Sequence, residues 1–187
     1  MTLYEMKVKA LGLIEELNKD SEFLTDDPDI YLKINEVINQ VMYELARIKK
    51  IPKYVEMEVK KGDMLTFDSI GKKTGYDVYQ IDLVRGVGHE YKADGTMVKV
   101  LENGTAEIDV FVYPERITEK TKDKGYEFEL SADVLEIMPY GIAGDLLKSD
   151  VSAGSGKIYS DEFERKLSRL DIRNNMSSIF IDGGVSI

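Results

Sequence analysis

Few residues in this chain are suited to acid–base or nucleophilic chemistry. His89 is the single histidine, and there is no cysteine. A Ser–His mechanism would therefore have to use His89, but the chain lacks the G-x-S-x-G turn that exposes a nucleophilic serine. The absence of cysteine also excludes disulfides and thiolate zinc sites. We expect His89 to lie on a strand, at the surface or partly buried, without a catalytic duty.

Two glycine–lysine segments resemble phosphate-binding loops but lack required positions. In Gly154-Ser155-Gly156-Lys157 the first glycine of a P-loop is replaced by Val151, and Ile158 stands where a Ser or Thr should follow the lysine. The segment 71–74 has Thr66 in place of the first glycine. We interpret the first segment as a flexible linker between two helices.

Carboxylates are abundant, with 35 Asp and Glu residues, but their spacing indicates no metal site. No loop has the EF-hand pattern. Asp26, Asp27 and Asp29 cluster where we predict a helix to begin, and a helix N-terminus attracts acids without a metal. We predict no catalytic residue, metal or cofactor, and no enzyme. A carboxylate-based hydrolase remains an alternative, because the fold alone would bring its two carboxylates together.

The net charge is −10, and the acidic excess is spread along the whole chain. Stable binding to nucleic acid needs a basic patch to neutralise phosphates, and no segment supplies one. No apolar run is long enough to cross a membrane, and the N-terminus is too charged for a secretory signal. We expect a soluble protein without a membrane partner.

Two helices are predicted at the front of the chain. Thr2 and Glu5 have the spacing of a capping box, and apolar residues then recur at helical spacing to about residue 18. Asp27-Pro28 is a second start signal, with an N-cap followed by proline at the first helical position. We expect Pro52 to end this second helix.

The middle of the chain is predicted to be β-rich. Apolar and charged residues alternate from Tyr54, which is typical of a half-buried strand. Asp94-Gly95 and Asn103-Gly104 are hairpin-turn dipeptides, and together they predict a meander of three strands. The charged segment 114–125 is expected to be an exposed, mobile loop. The strands of this meander are predicted at 88–93, 97–102 and 105–113. Further strands are predicted at 77–84 and 126–130.

The last part of the chain is predicted to contain two packed helices and an apolar tail. Because proline breaks a helix interior, we place Pro139 at the start of a helix that ends near residue 149, after a turn capped by Ser131. Ser160 would cap the last helix. Small residues at Gly141, Ala143 and Gly144 would let another helix approach closely. The candidate interface residues are Tyr140, Ile142, Leu146 and Leu147, together with Ile179, Phe180 and Ile181 of the tail.

These elements predict an α+β fold. With 187 residues and 43% hydrophobic side chains, the chain can form one core with an insertion. Residues 1–52 and 131–173 would form a helical body, 53–130 an inserted antiparallel β module, and 174–187 an extended C-terminal tail. Because a disordered terminus is normally polar, we expect the apolar tail to dock on another chain.

The order of these elements resembles the head-tail adaptor (connector) proteins of tailed bacteriophages. In that family a helical pair precedes a variable insertion, and a helix that opens with a proline–aromatic step follows. Here Pro139-Tyr140 starts the corresponding stretch, which runs to Leu147. The loop 149–159, the helix from Ser160 and the terminal Asp182-Gly183-Gly184-Val185 match the rest.

The resemblance implies a structural function in the neck of the virion, at the portal vertex, after synthesis in the host cytoplasm. Such proteins form a ring, commonly of twelve copies, beneath the portal protein, and stopper or tail proteins attach to it. DNA would pass through the acidic lumen without specific binding. The alternatives are another neck component, either a stopper or a tail-completion protein, and a monomeric binding module built on the β meander.

Overall fold

A computed structural model describes residues 1–18, 24–92, 96–148 and 153–170. Within these residues the chain has helices and two small antiparallel sheets, which confirms the α+β fold class. The tail 174–187, with Ile179, Phe180 and Ile181, lies outside the described residues. The helices are α1 (Leu3–Leu13), α2 (Pro28–Ile48), α3 (Phe67–Thr74), α4 (Ala132–Leu147) and α5 (Ala153–Leu167). The strands are β1 (Ile51–Val59), β2 (Met64–Thr66), β3 (Asp77–Arg85), β4 (His89–Lys92), β5 (Met97–Val100) and β6 (Gly104–Tyr113).

The starts of α1 and α2 follow the predicted capping signals. The Thr2 hydroxyl accepts the Glu5 backbone N–H at 3.2 Å, and the Glu5 carboxylate accepts the Thr2 N–H at 2.9 Å. Asp27 caps α2 and Pro28 is its first residue. Helix α1 ends at Leu13, earlier than predicted, because the backbone turns at Glu15 with a φ of 61°.

Pro52 does not end α2, which stops at Ile48. It lies in β1, opposite Phe111 of β6. Strand β1 pairs with β6 alone and therefore lies at the margin of its sheet. A proline is tolerated there because its missing N–H points away from the neighbouring strand.

The six strands form two sheets with the orders β1-β6-β3 (the first sheet) and β2-β5-β4 (the second sheet). The predicted meander is therefore wrong, because β5 and β6 belong to different sheets. Asn103-Gly104 does not make a hairpin: the Asn103 side chain accepts the Lys61 N–H at 2.8 Å, and Leu101 N–H bonds to Gly88 O at 2.8 Å. These bonds direct the chain from the second sheet into the first.

Residues 114–125 form a mostly exposed loop, as predicted, but the loop is anchored at Ile117, and no strand forms at 126–130. Ile117 is only 2% exposed. Its backbone N–H donates to Asn39 Oδ1 at 2.9 Å, and its carbonyl accepts from Asn39 Nδ2 at 2.8 Å. The predicted strand at 126–130 reduces to a single bridge between Glu127 and Thr2. Buried backbone groups need partners, and Asn39 supplies them here.

Helix α4 runs through Pro139, so the prediction that the helix begins there is wrong. The helix starts at Ala132 with Ser131 at the N-cap, and Pro139 is buried inside it. A proline in a helix interior costs about 3 kcal/mol. Helix α4 contacts α1, α2 and α5, and this burial of an almost wholly apolar helix offsets that cost.

Helix α5 begins at Ala153, so Gly154-Ser155-Gly156-Lys157 is helical and the linker prediction is wrong. Ser160 lies inside the helix and does not cap it. Gly156 is buried, and a Cβ built on it would lie 3.1 Å from Leu147 Cβ. Close contact with α4 therefore keeps this glycine-rich segment helical, although its propensity is low.

One hydrophobic cluster includes residues of the helices and of both sheets. At the junction the ring of Tyr113 lies between those of Tyr43 and Tyr79, at centroid distances of 4.7 and 4.6 Å. The Tyr79 hydroxyl donates to the carbonyl of Ala46 in α2 at 2.8 Å, and burial raises the pKa of Tyr79 to about 12. The hydroxyl therefore stays protonated at neutral pH, and its hydrogen bond connects the first sheet to α2.

Candidate protein-interaction surface

His89 lies at the start of β4 and is partly buried, as predicted. Its Nδ1 is 3.0 Å from the carbonyl oxygen of Val87, and its ring meets that of Tyr91 edge to face at 5.2 Å. Among the described residues no group of three or more His, Asp or Glu side chains could hold a metal ion. The surroundings of His89 thus indicate a packing role.

The predicted interface residues of α4 face other helices of the same chain. Ile142 and Leu146 are buried in the core. Tyr140 is partly buried, with Lys166 Nζ 4.8 Å from its ring centroid, and Leu147 packs against Gly156 of α5. The close helix approach predicted from the small residues is confirmed, and α5 makes it. A contact of these residues with another subunit stays a prediction.

The first sheet has one buried and one open side. Alternate residues of β6 (Ala106, Ile108, Val110 and Val112) are buried, so those between them point the other way. Strand pairing aligns the neighbours of these residues on the same side. We call this side the outer face, and it comprises Pro52, Tyr54, Glu56, Glu58, Gln80, Leu83, Arg85, Thr105, Glu107, Asp109 and Phe111.

The centre of the outer face exposes large apolar side chains. Tyr54 and Leu83 are both in register with Asp109 and lie on either side of it. Tyr54 is 51% exposed and Leu83 is 42% exposed. In the next row Lys50 Nζ lies 4.5 Å from the ring centroid of Phe111. Several large apolar groups exposed on one sheet face are typical of protein-binding surfaces.

Paired charges lie between and beside these apolar side chains. Arg85 Nη1 donates to Asp109 at 2.7 Å, and its Nε lies 3.6 Å from the Glu107 carboxylate. The hydrogen bond to Asp109 raises the pKa of Arg85. The Tyr54 hydroxyl donates to Glu56 at 2.9 Å, and this bond raises the pKa of Tyr54. Apolar side chains interspersed with charges that already have partners can be covered by another protein chain.

Our sequence analysis missed the outer face. The alternation from Tyr54 placed Tyr54 and Glu56 on the same side of β1, so the sequence indicated the β1 residues of this face. The position of Leu83 depends on register shifts between Val78 and Gln80 and between Ile81 and Leu83. Such bulges follow from pairing with β6 and leave no clear sequence pattern.

A cleft of about 760 Å³ lies between α1, the first half of α2 and the segment 114–125. Four of its charged groups form two pairs: Lys7 Nζ lies 2.9 Å from Asp123, and Arg116 Nη2 lies 2.7 Å from Glu36. Asn35 Oδ1 is buried here without a hydrogen-bond partner among the described residues. The lining is mixed, and includes Tyr4, Leu11, Leu24, Tyr31, Leu32 and Ile117.

Three carboxylates from three helices meet beside α4. Glu44 of α2 lies near Glu164 of α5 and Asp145 of α4, and Lys148 opposes them. Burial, followed by the charges of Glu164 and Asp145, raises the pKa of Glu44. The acidic neighbours thus favour protonation of Glu44, and no group of carboxylates among the described residues could hold a metal ion.

Comparison with models of known protein families finds no match for this chain, and a search of curated proteins finds none either. Among the described residues no helix combines the length and the apolar composition that crossing a lipid bilayer requires. A functional interpretation therefore depends on the surface chemistry of the chain and on the resemblance stated above.

Proposed function

We propose that this chain is a structural subunit that works by contacting other protein chains, as a head-tail adaptor of a tailed bacteriophage does. The outer face carries the proposal. Tyr54 and Leu83 expose apolar surface on either side of Asp109, and the charges of Arg85, Glu107 and Asp109 between and beside them are already paired. A partner can cover the apolar centre without leaving these charges unpaired.

The proposed assembly is a closed ring of copies, twelve in the resembling family, at the neck of the virion. In a ring each copy uses two different surfaces, one for each neighbour. The outer face would be one of them. The portal protein would lie on one side of the ring and stopper or tail proteins on the other, and DNA would cross the acidic lumen without specific binding.

Two parts of the resemblance do not hold in the structure. Pro139 lies inside α4 rather than at its start, and α5 begins at Ala153, so most of the matched loop 149–159 is helical and Ser160 does not start the last helix. The order of helices, inserted β strands and paired C-terminal helices is retained. Another neck component, such as a stopper or a tail-completion protein, would use the same kind of surface. The proposal therefore rests on surface chemistry and element order, and it leaves the layer of the neck open.

The cleft favours one second candidate, a monomeric module that binds a small partner. Its volume of about 760 Å³ is in the range of ligand sites. Against this, Lys7, Asp123, Arg116 and Glu36 already neutralise one another there.

The decisive experiment measures the mass of the full chain in solution and its incorporation into portal-containing heads. The variant Tyr54→Lys/Leu83→Asp places charges at the centre of the outer face and should reduce both assembly and incorporation at least tenfold. The matched control is Ile158→Lys on α5, because Ile158 is 68% exposed but lies outside this face. A wild-type chain that stays monomeric and does not enter heads would show that the proposed function is wrong.

A further inference from the structure

Among the residues that the structure describes, strand β1 has a strand partner on one side only. The order β1-β6-β3 places it at the margin of the first sheet, and its nine residues pair with β6 alone. Natural proteins usually shorten, cover or charge such margins, because an unpaired strand edge can bind another chain. A nine-residue edge is long for one that stays unpaired.

Two observations show which backbone groups of β1 point away from β6, toward the unpaired edge. Pro52 has no N–H and is accommodated where that group would face away from β6. The Glu58 carbonyl accepts Lys73 Nζ at 3.4 Å, so it also faces away. The N–H and C=O groups of successive residues in a strand point to opposite sides. Those of Tyr54 and Glu56 therefore also point away from β6. Neither has a backbone hydrogen bond on that side from the described residues.

We propose that this edge receives the C-terminal segment of a neighbouring copy, with Ile179, Phe180 and Ile181 forming an added strand. The inference rests on the proposed function, because it requires copies to lie side by side. The occupant follows from the chain beyond α5. An extended chain from Leu170 to Ile179 spans roughly 30 Å, so the triplet 179–181 can lie far from the end of α5.

The side chains of the two strands match. Along β1, Val55 and Met57 face the core and Tyr54 faces outward. In an added strand Ile179 and Ile181 would lie on one side and Phe180 on the other. The two isoleucines would extend the core beside Val55 and Met57, and Phe180 would cover the exposed ring of Tyr54. β-branched and aromatic residues are favoured in strands for this kind of packing.

Charge disfavours one competing occupant, a second copy of β1 in a register that sets glutamates opposite each other. The side chains of Glu56 and Glu58 lie on the outer face. Where two copies of β1 pair with these residues opposite each other, the carboxylates repel. The triplet 179–181 carries no charge. The edge therefore favours an uncharged apolar strand over another copy of itself.

Cysteine crosslinking of the full chain tests the proposal, because the natural chain has no cysteine. Cysteines would be placed at Tyr54 or Glu56 and, in turn, at each of residues 179, 180 and 181. A disulfide requires Cβ atoms about 3.5–4.5 Å apart, so one or two pairs should crosslink by mild oxidation. The control is Thr105→Cys with the same tail positions, because β6 lies inside the sheet and not at its edge.

The expected result is a ladder of covalent dimers and larger species on a non-reducing gel, at least tenfold stronger for Tyr54 or Glu56 than for Thr105. Glu56→Pro should abolish assembly-dependent protection of the β1 peptide in hydrogen exchange, while Glu56→Thr keeps it. Rings that form without any edge crosslink would overturn this inference and leave the proposed function standing. Crosslinks confined within single chains, or a chain that never assembles, would overturn it as well.

Discussion

Gly144 of α4 lies directly against Ser160 of α5. A Cβ built on Gly144 would be 2.6 Å from Ser160 Oγ and 3.1 Å from Ser160 N. One turn earlier, a Cβ on Gly141 would be 3.0 Å from both Phe163 Cε2 and Val41 Cγ1. Two glycines thus set the distance between α4 and its neighbours, and no larger residue fits without moving a helix.

Gly144→Ala should therefore destabilise the protein. Forcing a methyl group into a packed interface costs about 1–3 kcal/mol, and each kcal/mol lowers the melting temperature by about 2–4 °C in a chain of this size. Thermal unfolding followed by circular dichroism measures the loss. Adding Ser160→Gly should recover part of it, since the nearest atom is then removed.

The matched control is Gly154→Ala in the same pair of helices. A Cβ on Gly154 would meet nothing within 4 Å. Alanine is favoured over glycine in a helix by about 0.5–1 kcal/mol, so this variant should melt at the same or a higher temperature. Equal losses in the two variants would mean that contact with α5 is not the cause.

Pro139→Ala should stabilise the chain despite removing buried atoms. Proline inside a helix costs about 3 kcal/mol relative to alanine, and the alanine N–H can bond to the Leu135 carbonyl. Two lost methylene groups cost about 1.6 kcal/mol, which leaves a gain of about 1 kcal/mol. Chemical denaturation checks this gain. A lower unfolding midpoint would show that the proline ring fills a space that α1, α2 and α5 cannot close.

Local signals predicted those parts of the fold that neighbouring residues decide. Thr2 with Glu5 and Asp27 with Pro28 satisfy helix starts through bonds within a few residues, and both predictions are confirmed. The alternation of apolar and charged residues from Tyr54 also predicted β1, because side chains of a strand point to opposite faces in turn.

Predictions failed where contacts between distant residues decide the structure. Pro139 stays helical because α4 packs against three other helices, and Gly156 stays helical because α4 packs against it. Asn103-Gly104 fits a hairpin turn, but its bond to Lys61 connects two sheets. The outer face depends on the same long-range pairing, so it could not be found before the strands were assembled.

Asn39→Ala should destabilise the protein more than most single substitutions. Asn39 is 2% exposed and bonds to both backbone groups of Ile117, so its removal leaves two buried groups unpaired. Each costs about 1–3 kcal/mol, and we expect a total loss of about 2–4 kcal/mol in urea unfolding. Asn103→Ala is the control, because it removes one bond to a backbone N–H in an exposed turn. Similar losses for both would contradict the role given to Asn39.

Glu44 should make the stability of the chain depend on pH in the opposite sense to an ion-paired carboxylate. Its pKa is raised in the folded state by burial and by Glu164 and Asp145, while Lys148 opposes the shift. The folded state then holds its proton more tightly than the unfolded state does. Stability is therefore highest when Glu44 is protonated, and it falls as pH rises from the ordinary carboxyl pKa of 4.5 through the raised one.

Glu44→Gln removes this penalty and should raise the melting temperature at pH 7, with the difference from wild type vanishing below about pH 4. The gain should stay under about 1 kcal/mol, because solvent screens a partly exposed carboxylate, and 1 M salt should shrink it. Glu162→Gln is the control of opposite sign: hydrogen bonding by Arg165 lowers the pKa of Glu162, so its removal should slightly lower stability at pH 7. Melting curves from pH 3 to pH 8 compare the two. If Glu44→Gln destabilises at pH 7, the carboxylate is held by Lys148 rather than repelled by its acidic neighbours.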